Sequence, residues 1–164
     1  MPVKDPKEVF VRMLSDVRQG AERSTKFFQE AAELAQDEDI KETLSARALV
    51  QDSILKRLDE CFRLIGTQPV KLEGKLHDVL VEDFRRELAE IESPAAKRLY
   101  ILAKINHLLH FRIGEYVALI AAADLTGHYG VGVLLETCLA EKLALVERTR
   151  RLIRERVAQR VAAA

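Results

Sequence analysis

Two cysteines, no tryptophan, four prolines and seven glycines leave this 164-residue chain short of several common signatures. Cys61 and Cys138 lie far apart and form no CxxC pair, so neither a disulfide scaffold nor a cysteine zinc knuckle is available. Both are expected as buried, reduced thiols. The 26 basic and 26 acidic side chains cancel, which excludes a global field that would draw in nucleic acid or anionic membrane. No apolar run approaches the ~20 residues that span a bilayer. The opening "MPVKDPKEVF" has neither a signal-peptide core nor a lipidation motif, so a cytoplasmic location is expected. Glycine-rich phosphate loops and GxSxG elbows are also absent, which removes the common enzyme signatures. What is abundant is apolar (48%) and charged (32%) residues, the mixture of a compact protein built from amphipathic helices.

Helical periodicity organises almost the whole chain. "DPKE" opens the first segment, with Asp5 as cap, Pro6 at the first position and Glu8 as the far side of a capping box. Its seam runs Phe10, Leu14, Val17, Ala21, Ser24, Phe28, Ala31 and Ala35, in steps of three and four. A second helix is expected from the acidic stretch at 37–39, with Asp39 and Glu42 as its capping box, to the stop at Gly66 and Pro69. Ser93-Pro94 restarts a long helix whose seam reads Leu99, Leu102, Asn106, Leu109, Ile113, Tyr116, Ile120 and Ala123, broken at Gly127. The last helix is expected from Val131. No period-two stretch ends in a hairpin turn, so no sheet is expected.

Two helices, a long connection and two more helices predict an all-α, ferritin-like four-helix bundle, one domain over residues 1–164. Its bundle helices fall at roughly 6–36, 40–65, 94–125 and 131–157, with a short extra helix at roughly 76–91 in the crossover. Arg47, Gln51, Asn106 and Glu141 interrupt the apolar seams, and Glu22 and His110 lie one step off them. Buried charges must find partners or a metal, so these groups are expected to share one polar layer in the middle of the bundle. A carboxylate-bridged di-iron centre needs a Glu-x-x-His on each of two helices, and none occurs in this chain.

The segments "GAERSTKFFQEAAELA", "LKRLDECFRLIG", "HFRIGEYVAL" and "LLETCLAEK" resemble the bacterial ferritin-like stress proteins of the YciE/YciF type. The resemblance covers roughly residues 9–152. It implies a ferritin-like fold, a stress association and a homodimer. It also implies a metal site whose positions here are Glu22, His110 and Glu141. Leu109 and Arg112 fall where third-helix glutamates belong, and Lys142 stands where a second late glutamate would be. Arg47 falls near an expected histidine, with Leu49 and Val50 near expected glutamates. The expectation is a degenerate site in which Arg47 or Arg112 replaces the metal between Glu22 and Glu141, since guanidinium pairs bidentately with carboxylate and stays charged when buried.

The leading reading is therefore a non-enzymatic stress-associated protein with no cofactor. The alternative is a divergent iron- or manganese-binding protein or oxidase, and a third is a helical interaction or nucleic-acid-contacting module. The third rests on the basic "RTRRLIRERVAQR", for which a solvated or dimer-facing stripe is the simpler role. His107 and His110 stand i,i+3 without an acidic or thiol neighbour, and Asp124 and His128 straddle a helix end where capping is the simpler role. Tyr116 is expected in the core with its hydroxyl bonded. Alanine-rich 118–123 suits helix-to-helix contact between two copies, and no small-molecule substrate is identifiable.

Overall fold

The computed structural model describes the backbone of residues 5–162 and the side chains of residues 5–155. Among these there are five α-helices and no strand: α1 (Pro6–Ala35), α2 (Glu38–Ile65), α3 (Lys75–Ala89), α4 (Pro94–Leu125) and α5 (Tyr129–Ala162). Local chemistry sets most of the boundaries. Asp5 accepts from the Lys7 N–H at 2.9 Å, and Ser93 from the Ala96 N–H at 3.4 Å. Gly66 takes the left-handed conformation (φ 68°), and the N–H groups of Gly66 and Thr67 close back on Arg63 and Phe62.

Two boundaries differ from expectation. The cap of α2 is Asp37, which accepts from the Ile40 N–H at 3.2 Å, and not Asp39. Gln36 turns left-handed (φ 49°) and ends α1, so the extended Asp37 is the first residue able to cap. Asp39 falls inside the first turn, where its charge complements the helix dipole. The other is the start of α5, two residues before Val131. The His128 carbonyl already accepts from the N–H groups of Val131 and Gly132.

The long helices pack side by side, α1 and α5 each lying against both α2 and α4. One apolar cluster joins Phe10 and Leu14 at the start of α1 to Leu58 at the end of α2, Leu119 late in α4 and Leu135 early in α5. A second joins Phe28 and Ala31 late in α1 to Leu44 early in α2 and Ile101 and Leu102 early in α4. Sharing ends in this way makes touching neighbours antiparallel and makes α2 and α4 parallel. The chain must therefore travel the full length of the array between α2 and α4.

It does so along α1. Ser15, Gln19 and Arg23, one turn apart, hold the extended segment as a ladder. The Ser15 hydroxyl accepts from the Val70 N–H (2.9 Å), and Gln19 both donates to and accepts from the Leu72 backbone (2.8 and 3.1 Å). Arg23 donates to the Gly74 carbonyl (3.0 Å) and to Asp78 (2.9 Å). Farther along, α3 is seated by Phe84, which meets Phe27 edge-on at 4.9 Å and stacks on Tyr100.

The inward face of α4 keeps Leu102, Leu109, Tyr116 and Ala123 of the expected seam and takes the alternate positions one step earlier. Ile105, Arg112 and Leu119 are buried, whereas Asn106, Ile113 and Ile120 are only partly covered. Residues 108–123 are apolar around most of the helix, and α4 is covered by α1 and α5 and partly by α3. Periodicity alone cannot phase such a helix.

Candidate functional site: a buried cationic layer

Between the two apolar clusters every long helix turns a polar or charged side chain inward. Ser24 comes from α1, Arg47 and Gln51 from α2, Arg112 from α4 and Lys142 from α5, all buried. This is the only level at which the core holds charge among the described residues, and three of the five groups are cations.

Arg47 is 1% exposed. One of its terminal nitrogens, Nη2, donates to the Leu145 carbonyl at 3.0 Å, and its guanidinium lies 5.9 Å above the Phe28 ring. Its Nε and Nη1 find no hydrogen-bond partner among the described residues. Burial, helped by nearby Arg148, pushes its pKa down to about 10. One turn later, Gln51 donates to the Ala21 carbonyl of α1 at 3.1 Å.

Arg112, 5% exposed, is held more completely. Its Nη1 bonds both oxygens of Glu115 (3.0 and 2.8 Å), one turn on, and Nη2 donates to His77 Nδ1 at 3.3 Å. The guanidinium lies flat on Gly20 of α1. A Cβ there would come within 2.3–2.4 Å of it, so the missing side chain makes the room. Burial raises the Glu115 pKa even though Arg112 opposes the shift. Lys142 is 3% exposed, with its ammonium 5.3 Å above the Tyr116 ring. Burial and then Arg112 push its pKa down to about 8. The Tyr116 hydroxyl, expected to be bonded, is buried without a hydrogen-bond partner among the described residues, and burial holds its pKa well above the ordinary phenol value.

The residues singled out in the sequence as metal ligands do not meet in this layer. Glu22 is exposed on α1 and pairs with Arg18 at 3.6 Å. His110 is exposed on α4, its Nδ1 2.9 Å from the Asn106 carbonyl, and His107 is exposed beside it. Glu141 faces α2 and pairs with Arg57 at 2.7 Å. Neither Arg47 nor Arg112 forms an ion pair with Glu22 or Glu141, so the expected guanidinium bridge between those two carboxylates is not the one present. The reason is helical phase: Glu22 and His110 each lie one position off the buried stripe. Among the described residues no three of His, Cys, Asp and Glu converge as a metal would require. The two thiols are buried and free, and burial pushes Cys61 up to about 12. His128 stacks on Phe10 at 5.3 Å, a packing role at the helix turn. Arg148, Arg150, Arg151 and Arg154 are exposed on α5, while the side chains of Arg156 and Arg160 lie outside the described residues.

Two members of the layer, Glu115 and His77, were not picked out in the sequence, and Lys142 was placed only as the residue standing where a late glutamate would be. Glu115 was legible in principle, since it follows Arg112 at i,i+3. Lys142 follows Cys138 by one turn on the α5 seam. His77 had no signal, because its partner is 35 residues away on another helix. Burial, Arg112 and Arg23 push the His77 pKa from 6.5 down to about 4. Its neutral form is the folded one, so stability is full above pH 6.5 and falls as pH drops towards 4. The expected loss is up to about 3 kcal/mol. Urea titrations across pH 4–7 should show this slope in the native protein and lose it in His77→Gln; equal slopes would reject the assignment.

Comparison with known proteins places the architecture. The family model described as "Domain of unknown function (DUF892)" matches residues 5–162. The chain belongs to this family. The solved structure of the Escherichia coli stress protein YciF is similar to it, with a TM-score of 0.89 at 20% identity, covering 95% of this chain and 99% of that one. YcfI from Rhodopseudomonas palustris is similar with a TM-score of 0.86 at 23% identity, covering 90% and 94%. The family match and the fold agree with the YciE/YciF-type resemblance read from the sequence. No functionally curated protein matches. No helix among the described residues is long and apolar enough to cross a membrane.

Proposed function

We propose that this chain is a ferritin-like four-helix bundle of the stress-associated type, cytoplasmic and non-enzymatic, in which a buried cationic layer stands where relatives of that superfold carry a metal pair. One observation carries the reading. Arg47, Arg112 and Lys142 are buried at mid-height, and among the described residues Glu115 is the one carboxylate ion-paired to any of them. A pair of iron or manganese ions needs several anionic oxygens facing one another. Here a metal would enter a field that is already positive, so the residues present do not fit it. The degenerate site is thus a structural one, with Arg112–Glu115 as its ion pair. The stress association rests on the name of the E. coli relative. Purification with added ferrous iron or manganese, followed by elemental analysis, tests the reading. We expect less than about a tenth of an equivalent of bound metal. Stoichiometric metal retained through dialysis, and lost in Glu115→Gln, would favour the alternative of a metal-binding protein or oxidase.

The partner we propose is a second copy. The exposed residues of α4 between His110 and Asp124 are Phe111, Gly114, Val117, Ala118 and Ala121, with no charge among them. Val117 is 55% exposed. An antiparallel pairing centred near Tyr116 sets Phe111 of one copy against Ala121 of the other and Gly114 against Ala118. It also brings His107 beside Asp124, which gives the register an imidazole donor for that carboxylate. Sedimentation should give a dimer, and Val117→Glu a folded monomer. A native monomer, or a dimer indifferent to this substitution, would remove the proposal.

A further inference from the structure

Where the crossover runs along α1 it leaves a trough of about 440 Å³, a size that small-molecule sites occupy. Its walls are held at a fixed spacing. Ser15 and Gln19, which line it, are bonded to the backbone of Val70 and Leu72 on the facing segment. Its charge is one-sided. Arg18, Arg23 and Lys26 come from α1 and Lys71 from the crossover, against Glu22 alone. The next trough along α1, of about 320 Å³, shares Arg23 and Lys26 but balances them and Arg85 with Glu30, Asp78 and Glu82. The cationic lining therefore belongs to the crossover end and is not general to this face.

Two of the four cations are committed. Arg18 is fixed by Asp59 at 2.6 Å, with Glu22 at 3.6 Å, and Arg23 is fixed by Asp78 at 2.9 Å. Lys26 and Lys71 are exposed, stand on opposite walls and form no ion pair among the described residues. Four cations against Glu22, Asp59 and Asp78 leave a surplus of one positive charge, and the two lysines carry it. A lysine ammonium is a point charge with freely turning donors, which suits a phosphate. One phosphate between two ammoniums meets the surplus, whereas a chain of several would exceed it and approach Glu22. An apolar wall completes the trough, made by Pro69 and by Val70, which is 49% exposed. At about 30 Å³ for each water-sized group, the five heavy atoms of a phosphate fill at most roughly a third of the space. The remainder has room for an organic moiety.

We propose that this trough binds a small organic phosphate monoester, with the phosphate between Lys26 and Lys71 and the organic part against Pro69 and Val70. Occupancy ties the crossover to α1 beside the ladder of Ser15, Gln19 and Arg23. The site is separate from the buried layer and does not depend on whether that layer excludes a metal.

Ribose monophosphate and adenosine monophosphate are the probes, with inorganic phosphate as the reference. In titration calorimetry at constant ionic strength, at least one ester should bind at least about tenfold more tightly than inorganic phosphate. Both lysines are exposed, so the double variant Lys26→Ala, Lys71→Ala folds and should weaken that ester by at least about tenfold. Lys56→Ala, at an exposed position on α2 outside the trough, should leave it unchanged. Failure of both esters to bind would overturn the proposal. So would an affinity unchanged in the double variant, or lowered equally by Lys56→Ala. Inorganic phosphate binding as tightly as both esters would mean an adventitious ion only, and would overturn it too.

Discussion

Glu115→Gln is expected to cost about 1–3 kcal/mol of folding stability. This is below the full range for a buried ion pair broken from one side, because the carboxylate is partly exposed and its own desolvation offsets part of the attraction to Arg112. The substitution keeps shape and removes charge, so it leaves Arg112 buried at 5% exposure with its bidentate partner neutral. Lys142 also loses a nearby compensating charge, since Glu115 is among the groups that favour its protonation. The destabilisation should not be additive with loss of the arginine. Arg112→Met alone strands Glu115 in a site that already raises its pKa, whereas the double variant Arg112→Met, Glu115→Gln removes both charges together. Urea denaturation followed by circular dichroism should therefore place the double variant above either single one. If the double variant loses as much as the sum of the two, Arg112 and Glu115 do not act as a pair.

The second large effect runs the other way. Lys142→Met should stabilise the protein at neutral pH, because the native ammonium is 3% exposed and forms no ion pair among the described residues. Its pKa lies near 8 in the folded state, depressed from 10.5. Between those values the unfolded chain binds the extra proton, so native stability is lowest below pH 8 and rises as pH climbs towards 10.5. The span is up to about 3 kcal/mol. Methionine approximates the lysine stem in size and packs against the Tyr116 ring, so its variant should gain stability at pH 7 and lose this alkaline rise. A variant less stable than the native protein at pH 7 would mean that the ammonium has a compensating partner and that the layer is not under positive strain.

The two results bear on one question, why a core should retain charges that cost stability. Buried polar groups have a recognised use in fixing register and orientation. Here Arg112 touches three helices: Gly20 on α1, His77 on α3 and Glu115 on its own α4. Gln51 joins α2 to α1, and Arg47 joins α2 to α5. Together these bonds stitch every helix of the array to another at mid-height. The apolar clusters at either end supply burial, which is non-directional, and no comparable set of bonds between helices.

Much of this was legible in the chain. The Ser93-Pro94 start and the Gly66 stop act through backbone chemistry within a turn, so three or four residues suffice to state them. The seams of α1 and α2 have a polar outer face and keep their phase. Arg47 and Gln51 were visible as interruptions of one such seam. On α4 the same reasoning held at Leu102, Leu109, Tyr116 and Ala123 and slipped by one position between them, which moved attention from Ile105 and Leu119 to Asn106 and Ile120. It also left His110 looking like a ligand when it faces solvent. Glu22 failed similarly, one step from Ala21.

The sequence by itself determined that this chain would be helical, that a long connection would separate two helix pairs, and that charged residues would interrupt the seams. Those are properties of spacing, capping and composition, each confined to a turn or a single helix. Tertiary structure alone decided which charges meet. Arg112 finds His77 across 35 residues because the crossover is laddered along α1, and it finds room because position 20 has no side chain. Partnership in a core depends on helix rotation, and a rotation of one residue, about 100°, exchanges a buried position for an exposed one.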